Sequence, residues 1–227
     1  MKRITITALS AFAALPLMSG LSSEAQAEPK PIPVHELMNW HSAGQGTIGT
    51  FRDRALQMTE ASESEGLMIV SPDSYGEQVV LRFSAMTLRP ATVLVVMLSA
   101  SDADGSGQLT IPDDFDGDLA NWNSDASDYF FAFHNAPHFR YPFIIRRHGD
   151  SAELLEEASR SYMTVGRWHE IECGRDGNRL WLTIDGKTVL DVEDPGPLEG
   201  GSVALRIRGS GTERASAFFK DLTLSEK

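Results

Sequence analysis

Between Asp128 and Asp150 the sequence reads DYFFAFHNAPHFRYPFIIRRHGD. His134, His138, His148, Arg140, Arg146, Arg147 and Tyr141 lie there among aromatic and isoleucine residues that favour strands. The chain is otherwise acidic, with a formal net charge of -12 over 227 residues, so a basic, imidazole-bearing patch stands out. These residue types suit one chemistry in particular. An arginine fork binds a carboxylate bidentately. A uronate carboxylate neutralised in this way acidifies the adjacent carbon, and a histidine or a phenol then removes its proton in a β-elimination. His134 and Tyr141 are the candidate acid/base groups. Arg140, Arg146, Arg147 and His148 are the candidate substrate contacts. The opposite reading stays open: His134 as a satisfied interior histidine, and the arginines balanced by the chain's own carboxylates.

Alternate residues of a strand share a face. Phe130, Ala132 and His134 then lie on one side, with Phe131 and Phe133 on the other. Arg146 and His148 share a side, and Arg147 takes the opposite one.

Two further signals precede the patch. Asp102 to Asp113, DADGSGQLTIPD, places oxygen side chains at loop positions one, three and five, a glycine at six and an aspartate at twelve. Asp102, Asp104 and Asp113 at this spacing resemble a calcium loop. An ordinary Asp/Gly surface turn is the preferred alternative, because the last position lacks the usual glutamate and Pro112 interrupts the loop. The acidic loop that follows contains Trp122, either a stacking platform for a sugar or an anchor of the loop to the core.

The elements that must position these residues read as strands. Short β-prone runs recur with turn signals between them. ATVLVVMLSA, Ala91 to Ala100, is apolar on both faces and belongs in the middle of a packed sheet. Arg179 to Ile184 and Lys187 to Val192 flank Asp185-Gly186, a two-residue hairpin turn. Ser151 to Arg160 is the one helical candidate, with Ser151 as N-cap and acidic residues early. The pattern predicts an all-β sandwich of two antiparallel sheets.

Lys2 and Arg3, the apolar run Ile4 to Leu17 and Ala25-Gln26-Ala27 form a signal peptide over 1–27. The mature domain, 28–227, is then periplasmic or secreted, with no membrane insertion once the signal is removed. One domain of this size buries a full core. Its single cysteine, Cys173, excludes an internal disulfide and reads as a small buried hydrophobe. The acidity disfavours nucleic acid as a partner. Walker, dinucleotide, HExxH and GxSxG motifs are absent, and so is the E-x-D-x-x-E strand motif of retaining glucanases.

From Gly166-x-Trp168 onward the order of elements is similar to the closing strands of the concanavalin-A-like jelly roll, in which Trp168 would be an inward, packed ring. Three features extend the likeness: Ala132-Phe133-His134, the pair Arg146-Arg147, and Gly200-Gly201-x-Val203 followed by FKDLTL. Together they resemble the YesU-like family of concanavalin-A-like jelly-roll proteins from polysaccharide-utilisation systems. The chain departs from that family between His134 and Arg146, where it carries extra residues. The resemblance implies a polysaccharide or oligosaccharide partner of acidic or pectin-like type. The expected protein is a lyase or hydrolase using His and Arg on a concave sheet face, or a non-catalytic carbohydrate-binding module on the same fold.

Overall fold

The computed structural model describes residues 28–52, 54–122, 125–135, 138, 140–210 and 212–226. The segment read as a signal peptide lies outside the described residues. The period-2 runs become strands. In chain order these are β1 (Lys30–Ile32), β2 (His41–Gly44), β3 (Gly46–Phe51), β4 (Ala55–Glu60), β5 (Leu67–Tyr75), β6 (Gln78–Thr87) and β7 (Val93–Asp102). There follow β8 (Ala126–His134), β9 (Phe143–His148), β10 (Ser151–Glu157), β11 (His169–Asp176), β12 (Arg179–Ile184), β13 (Lys187–Glu193), β14 (Gly201–Arg208) and β15 (Ser216–Glu226). A single helical turn, α1 (Val34–Leu37), follows β1.

The strands form two antiparallel sheets packed face to face, the jelly-roll sandwich expected. One sheet has the order β13-β12-β11-β6-β15-β4-β3, with β1 added beside β15; the other has the order β10-β9-β8-β7-β14-β5-β2. Alternation sorts the residues by face. Leu94, Val96 and Leu98 of β7 meet Leu81, Phe83, Ile171, Cys173 and Phe219 of the opposite sheet in the main core. Burial pushes the Cys173 thiol well up, in keeping with an inert interior hydrophobe. The Asp185-Gly186 hairpin forms as expected, with φ of 51° and 73° at its two residues.

Val93, Val95 and Met97 point the other way, yet they too are buried. They join Met68, Phe130, Ala132, Phe143 and Ala204 in a second apolar layer on the outer face of the β7 sheet. Leu109, Ile111, Phe115 and Leu119, from the loop between β7 and β8, cover that layer. This is why β7 is apolar on both faces: one side meets the partner sheet and the other meets the loop.

The loop is fastened at a contact of bare backbone. A Cβ placed on Gly117 would lie 2.2 Å from the Gly66 carbonyl oxygen, and one on Gly44 would lie 2.1 Å from the same atom. Beside this contact Arg206, only 3% exposed, donates through Nη2 to the carbonyls of Glu65 and Gly117, each at 2.8 Å. Burial, reinforced by the neighbouring Arg208 and Arg147 cations, pulls its pKa down to about 9, so it is still a cation at neutral pH.

Two expectations are corrected. Ser151 to Arg160 is no helix: Ser151–Glu157 is the edge strand β10, paired with β9. The acidic residues that suggest a helical first turn are instead cross-strand partners. Glu153 meets Arg146 at 2.5 Å and Glu157 meets Arg140 at 3.3 Å. Trp168 does not point inward. His169, Ile171 and Cys173 take the inward positions of β11, so Trp168 falls on the outer face. There it is half-buried, stacked on Phe218 at 6.3 Å, with the Lys220 ammonium 4.9 Å from its ring centre. Trp168→Ala is therefore expected to cost only about 1 kcal/mol in urea unfolding, well below the ~3–5 kcal/mol of a fully buried indole. A loss in the upper range would return the ring to the core.

Candidate functional site

The strands carrying the basic patch lie side by side, but the patch does not converge. β8 is buried on both faces along its length. His134 is 5% exposed, and its Nδ1 lies 2.5 Å from the Thr92 carbonyl oxygen. A carbonyl only accepts, so Nδ1 carries the proton and the ring is fixed in that tautomer. Burial lowers the His134 pKa, which keeps the ring neutral. This is the interior-histidine alternative, not a groove-lining base. Tyr141, the other acid/base candidate, is 43% exposed.

Each arginine of the patch has a carboxylate of the chain beside it. Arg147 donates to both oxygens of Asp128, through Nε at 3.2 Å and through Nη2, and its guanidinium lies over the Phe130 ring. Arg146, on the opposite face, donates to Asp194 at 2.6 Å, Glu153 at 2.5 Å and the Gly196 carbonyl at 2.6 Å. Arg140 pairs with Glu157 and covers the Phe143 ring at 4.3 Å. The predicted alternation of β9 is correct, and it brings Arg146 and His148 to one shallow hollow of about 400 Å³ with Ser151 and Leu198. His148 Nδ1 is 2.7 Å from Ser127 Oγ.

Trp122 is the loop anchor. It is buried, packs against Phe115 and donates from Nε1 to the Thr110 carbonyl at 3.1 Å. The Asp102 carboxylate accepts from the Thr110 amide at 2.7 Å and its hydroxyl at 2.8 Å, while Asp104 accepts from the Ser106 amide at 2.8 Å. Asp102, Asp104 and Asp113 do not close into a cation cage. Among the described residues no group of three or more His, Cys, Asp or Glu side chains is placed to hold a metal ion. The two bonded carboxylates serve as turn caps.

What the loop covers on one sheet stays open on the other. Glu170, Glu172 and Gly174 follow one another at every second residue on the outer face of β11, and Trp168 immediately precedes the strand on the same side. Trp181 of β12 lies over Gly174, where a Cβ would come 2.1 Å from the indole. The indole Nε1 donates to Glu172 at 2.6 Å, and Arg82 of β6 donates from Nε to the other oxygen of Glu172 at 2.6 Å. Arg82 reaches Ser225 of β15 at 3.4 Å. A fixed indole, a carboxylate, a guanidinium and a hydroxyl thus run across β12, β11, β6 and β15. Beside this row Arg82, Ser84, Glu170, Glu172 and Thr183 line a hollow of about 320 Å³. Along β11 the two indoles bracket the carboxylates over about 20 Å, from a rise of ~3.3 Å per residue. The sequence held a signal for this site: Trp181 alternates with the apolar Leu180 and Leu182, which sends it to the solvent face.

The sandwich is shared with solved structures. A protein of unknown function with a galectin-like fold from Bacillus subtilis superimposes with a TM-score of 0.75 at 14% identity, covering 89% of this chain and 97% of that one. A carbohydrate-binding module from Bacillus subtilis gives 0.57 at 17% identity, over 82% of this chain and 95% of the module. A β-glucanase from Bacillus licheniformis gives 0.55 at 11% identity, over 83% and 92%. No family model matches the chain, and no curated protein matches it. At these identities the likeness establishes the all-β jelly roll and nothing finer.

Proposed function

We propose that this chain is an exported carbohydrate-binding jelly-roll protein that holds a polysaccharide on the open outer face of the β11 sheet. The observation that carries this reading is the row Trp181–Glu172–Arg82 with its hollow. Rigid indole surface suits the apolar face of a sugar ring. The adjoining carboxylates, guanidinium and hydroxyls suit its hydroxyls, and an ordered row loses little freedom on binding. The galectin-like, carbohydrate-binding and glucanase neighbours make a glycan a reasonable ligand class by analogy of fold. The resemblance to the YesU-like family adds a role in polysaccharide utilisation, and the signal-like residues 1–27 add a periplasmic or secreted location.

The acidic, pectin-like ligand drew its motive from the YesU-like resemblance and from Arg140, Arg146 and Arg147. Each has a carboxylate partner within the chain, and Arg82 is likewise paired with Glu172 at 2.6 Å. A neutral glycan is therefore the preferred ligand. Binding without turnover is preferred over a lyase, because His134 is buried apart from any free guanidinium fork. Hydrolysis keeps one argument. Glu170 and Glu172 are two carboxylates on one face of the strand, their backbones about 7 Å apart, and paired carboxylates are what glycoside hydrolysis uses.

Native gels cast with mixed-linkage β-glucan, levan or polygalacturonate test this reading. The wild type should be retarded by a neutral glycan, and Trp181→Ala should weaken retardation at least about tenfold, as for the loss of a central aromatic anchor. Equal retardation of wild type, Trp181→Ala and Glu172→Gln would move the ligand off this face. New reducing ends that vanish in Glu170→Gln would make the protein a hydrolase, and retardation by polygalacturonate alone would restore the acidic ligand.

A further inference from the structure

A second cleft lies at one end of the sandwich, where β4 of one sheet and β14 of the other run out. Its volume is about 530 Å³, and Glu60, Ser62, Glu65, His138, Arg208 and Arg214 are among the residues that line it. It shares no lining residue with the open face described above.

Glu60 is the unusual member. It ends β4, is 3% exposed, and uses only one of its two carboxyl oxygens. Oε2 accepts from the Gly209 amide at 2.6 Å and from the Ala215 amide at 2.8 Å. These two bonds fix the carboxyl group and tie Gly209 and Ala215 to the end of β4. Oε1 is buried and has no hydrogen-bond partner among the described residues. A buried carboxylate oxygen left unbonded is costly, of the order of 1–3 kcal/mol or more. Such a group in a cleft is a marker of a ligand position. Burial raises the Glu60 pKa, against the opposing pull of the Ala215 and Gly209 amides and of Arg206 and Arg208. The carboxyl is thus held in a site tuned away from bulk water.

The surroundings indicate what would complete it. Two guanidinium groups, Arg206 and Arg208, already act on Glu60. Burial outweighs their pull, so the two cations do not fully offset the cost of a charge on Glu60; by geometry, Oε1 lacks a hydrogen-bond donor. Arg208 is itself held at the cleft by Glu65 at 2.6 Å. The lining carries four carboxylates, Glu60, Glu63, Glu65 and Glu213, against the guanidiniums of Arg208 and Arg214, with hydroxyls and an imidazole among them, so hydrogen-bond acceptors outnumber donors of opposite charge. Hydroxyl groups, each both donor and acceptor, match such a lining.

We infer that this cleft is a binding site, separate from the open face, for a small neutral polyhydroxy ligand of the size of one sugar residue, one hydroxyl of which donates to Glu60 Oε1. Oε1 has almost no accessible surface, so the lining must open for the hydroxyl to reach it. The chain would then hold a glycan in two ways, along its length on the open face and by a single residue at the end of the sandwich.

Saturation-transfer NMR and titration with D-glucose, D-galactose and D-fructose test the inference, with D-galacturonate and D-glucosamine as charged controls. At least one neutral sugar should bind the wild type. Glu60→Gln keeps an oxygen for the Gly209 and Ala215 amides but puts an amide NH2 where Oε1 stood. It should weaken binding about tenfold or more, as for loss of a hydrogen bond to a charged group. Ser62→Trp, on the exposed rim, should fill the cleft and abolish binding without touching Glu60. Trp181→Ala should leave this binding unchanged. Three outcomes overturn the inference: no neutral sugar bound by the wild type, binding undiminished in both Glu60→Gln and Ser62→Trp, or tighter binding of a charged sugar. Loss of binding in Trp181→Ala would place the sugar on the open face instead.

Discussion

Asp128→Ala is expected to cost about 3–5 kcal/mol of stability, the usual effect of stripping one partner from a buried ion pair. Asp128 and Arg147 face each other across β8 and β9, on the outer face of their sheet and beneath the loop. Both are almost wholly buried. Without the carboxylate, the Arg147 guanidinium stays in an apolar layer with another cation, Arg206, close by. Water cannot replace the lost partner without lifting the loop. The double variant Asp128→Leu/Arg147→Met should recover most of the loss, since neither member of the pair is then left without its partner and apolar side chains fill the space, while Arg206 keeps the Glu65 and Gly117 carbonyls. Urea unfolding of the three proteins measures this directly. A cost below about 1 kcal/mol for Asp128→Ala would mean that water reaches Arg147.

Gly117→Ala is the second large effect. The new methyl carbon would stand 2.2 Å from the Gly66 oxygen and 2.5 Å from its nitrogen, and Gly117 sits at φ of 100°. Both obstacles are backbone, so no side chain can turn aside to make room. Two responses are open to the molecule. If the loop stays down, the strain destabilises the whole sandwich by on the order of 3–5 kcal/mol. If the loop lifts, Arg206 loses its Gly117 carbonyl, and Trp122 leaves its pocket beside Phe115. Urea unfolding reads the first response, and a red shift of tryptophan emission together with faster amide exchange in β7 and β8 reads the second. A Gly117→Ala protein unchanged in both would show that the Gly66–Gly117 contact does not fasten the loop. If the loop lifts, the apolar outer face of the β7 sheet, with Asp128, Arg147 and Arg206 at its edge, becomes the surface presented to solvent.

Much of the architecture was readable one residue at a time. The period-2 runs became strands, the Asp185-Gly186 pair became a tight hairpin turn, and Cys173 became an interior side chain, because each depends on neighbours close in sequence. The apolar character of ATVLVVMLSA placed β7 in the middle of its sheet for the same reason. The alternation of β9 also emerged as read, with Arg147 opposite Arg146 and His148. Alternation states which residues share a face. It is silent on bulges and on what covers a face, and this is where the reading of the site parted from the structure. His134 does not share the face of Phe130 and Ala132: the register shifts between the Leu94–His134 and Val95–Ala132 pairs, so His134 lies opposite the core residue Leu94, buried, with its imidazole on the Thr92 carbonyl. Trp122 took the anchor role, one of its two open alternatives, while Trp168, expected to be packed inward, lies half-buried on the outer face.

The sequence left open that the arginines are balanced by the chain's own carboxylates, but not which group meets which. Arg146 finds Asp194 at 48 residues' separation, Arg82 finds Glu172 at 90, and Glu60 finds the Gly209 amide at 149. Periodicity cannot foresee such partners, because they meet only when the two sheets stack and the strand ends come together. The sequence by itself determined an all-β chain with a doubly buried central strand, since local pattern and turn chemistry suffice for that. The tertiary structure alone decided that the basic patch is internally neutralised, that the outer face of one sheet is closed by a loop, and that the outer face of the other stays open. Those outcomes depend on desolvation and on contacts between distant segments, which exist only in the folded molecule.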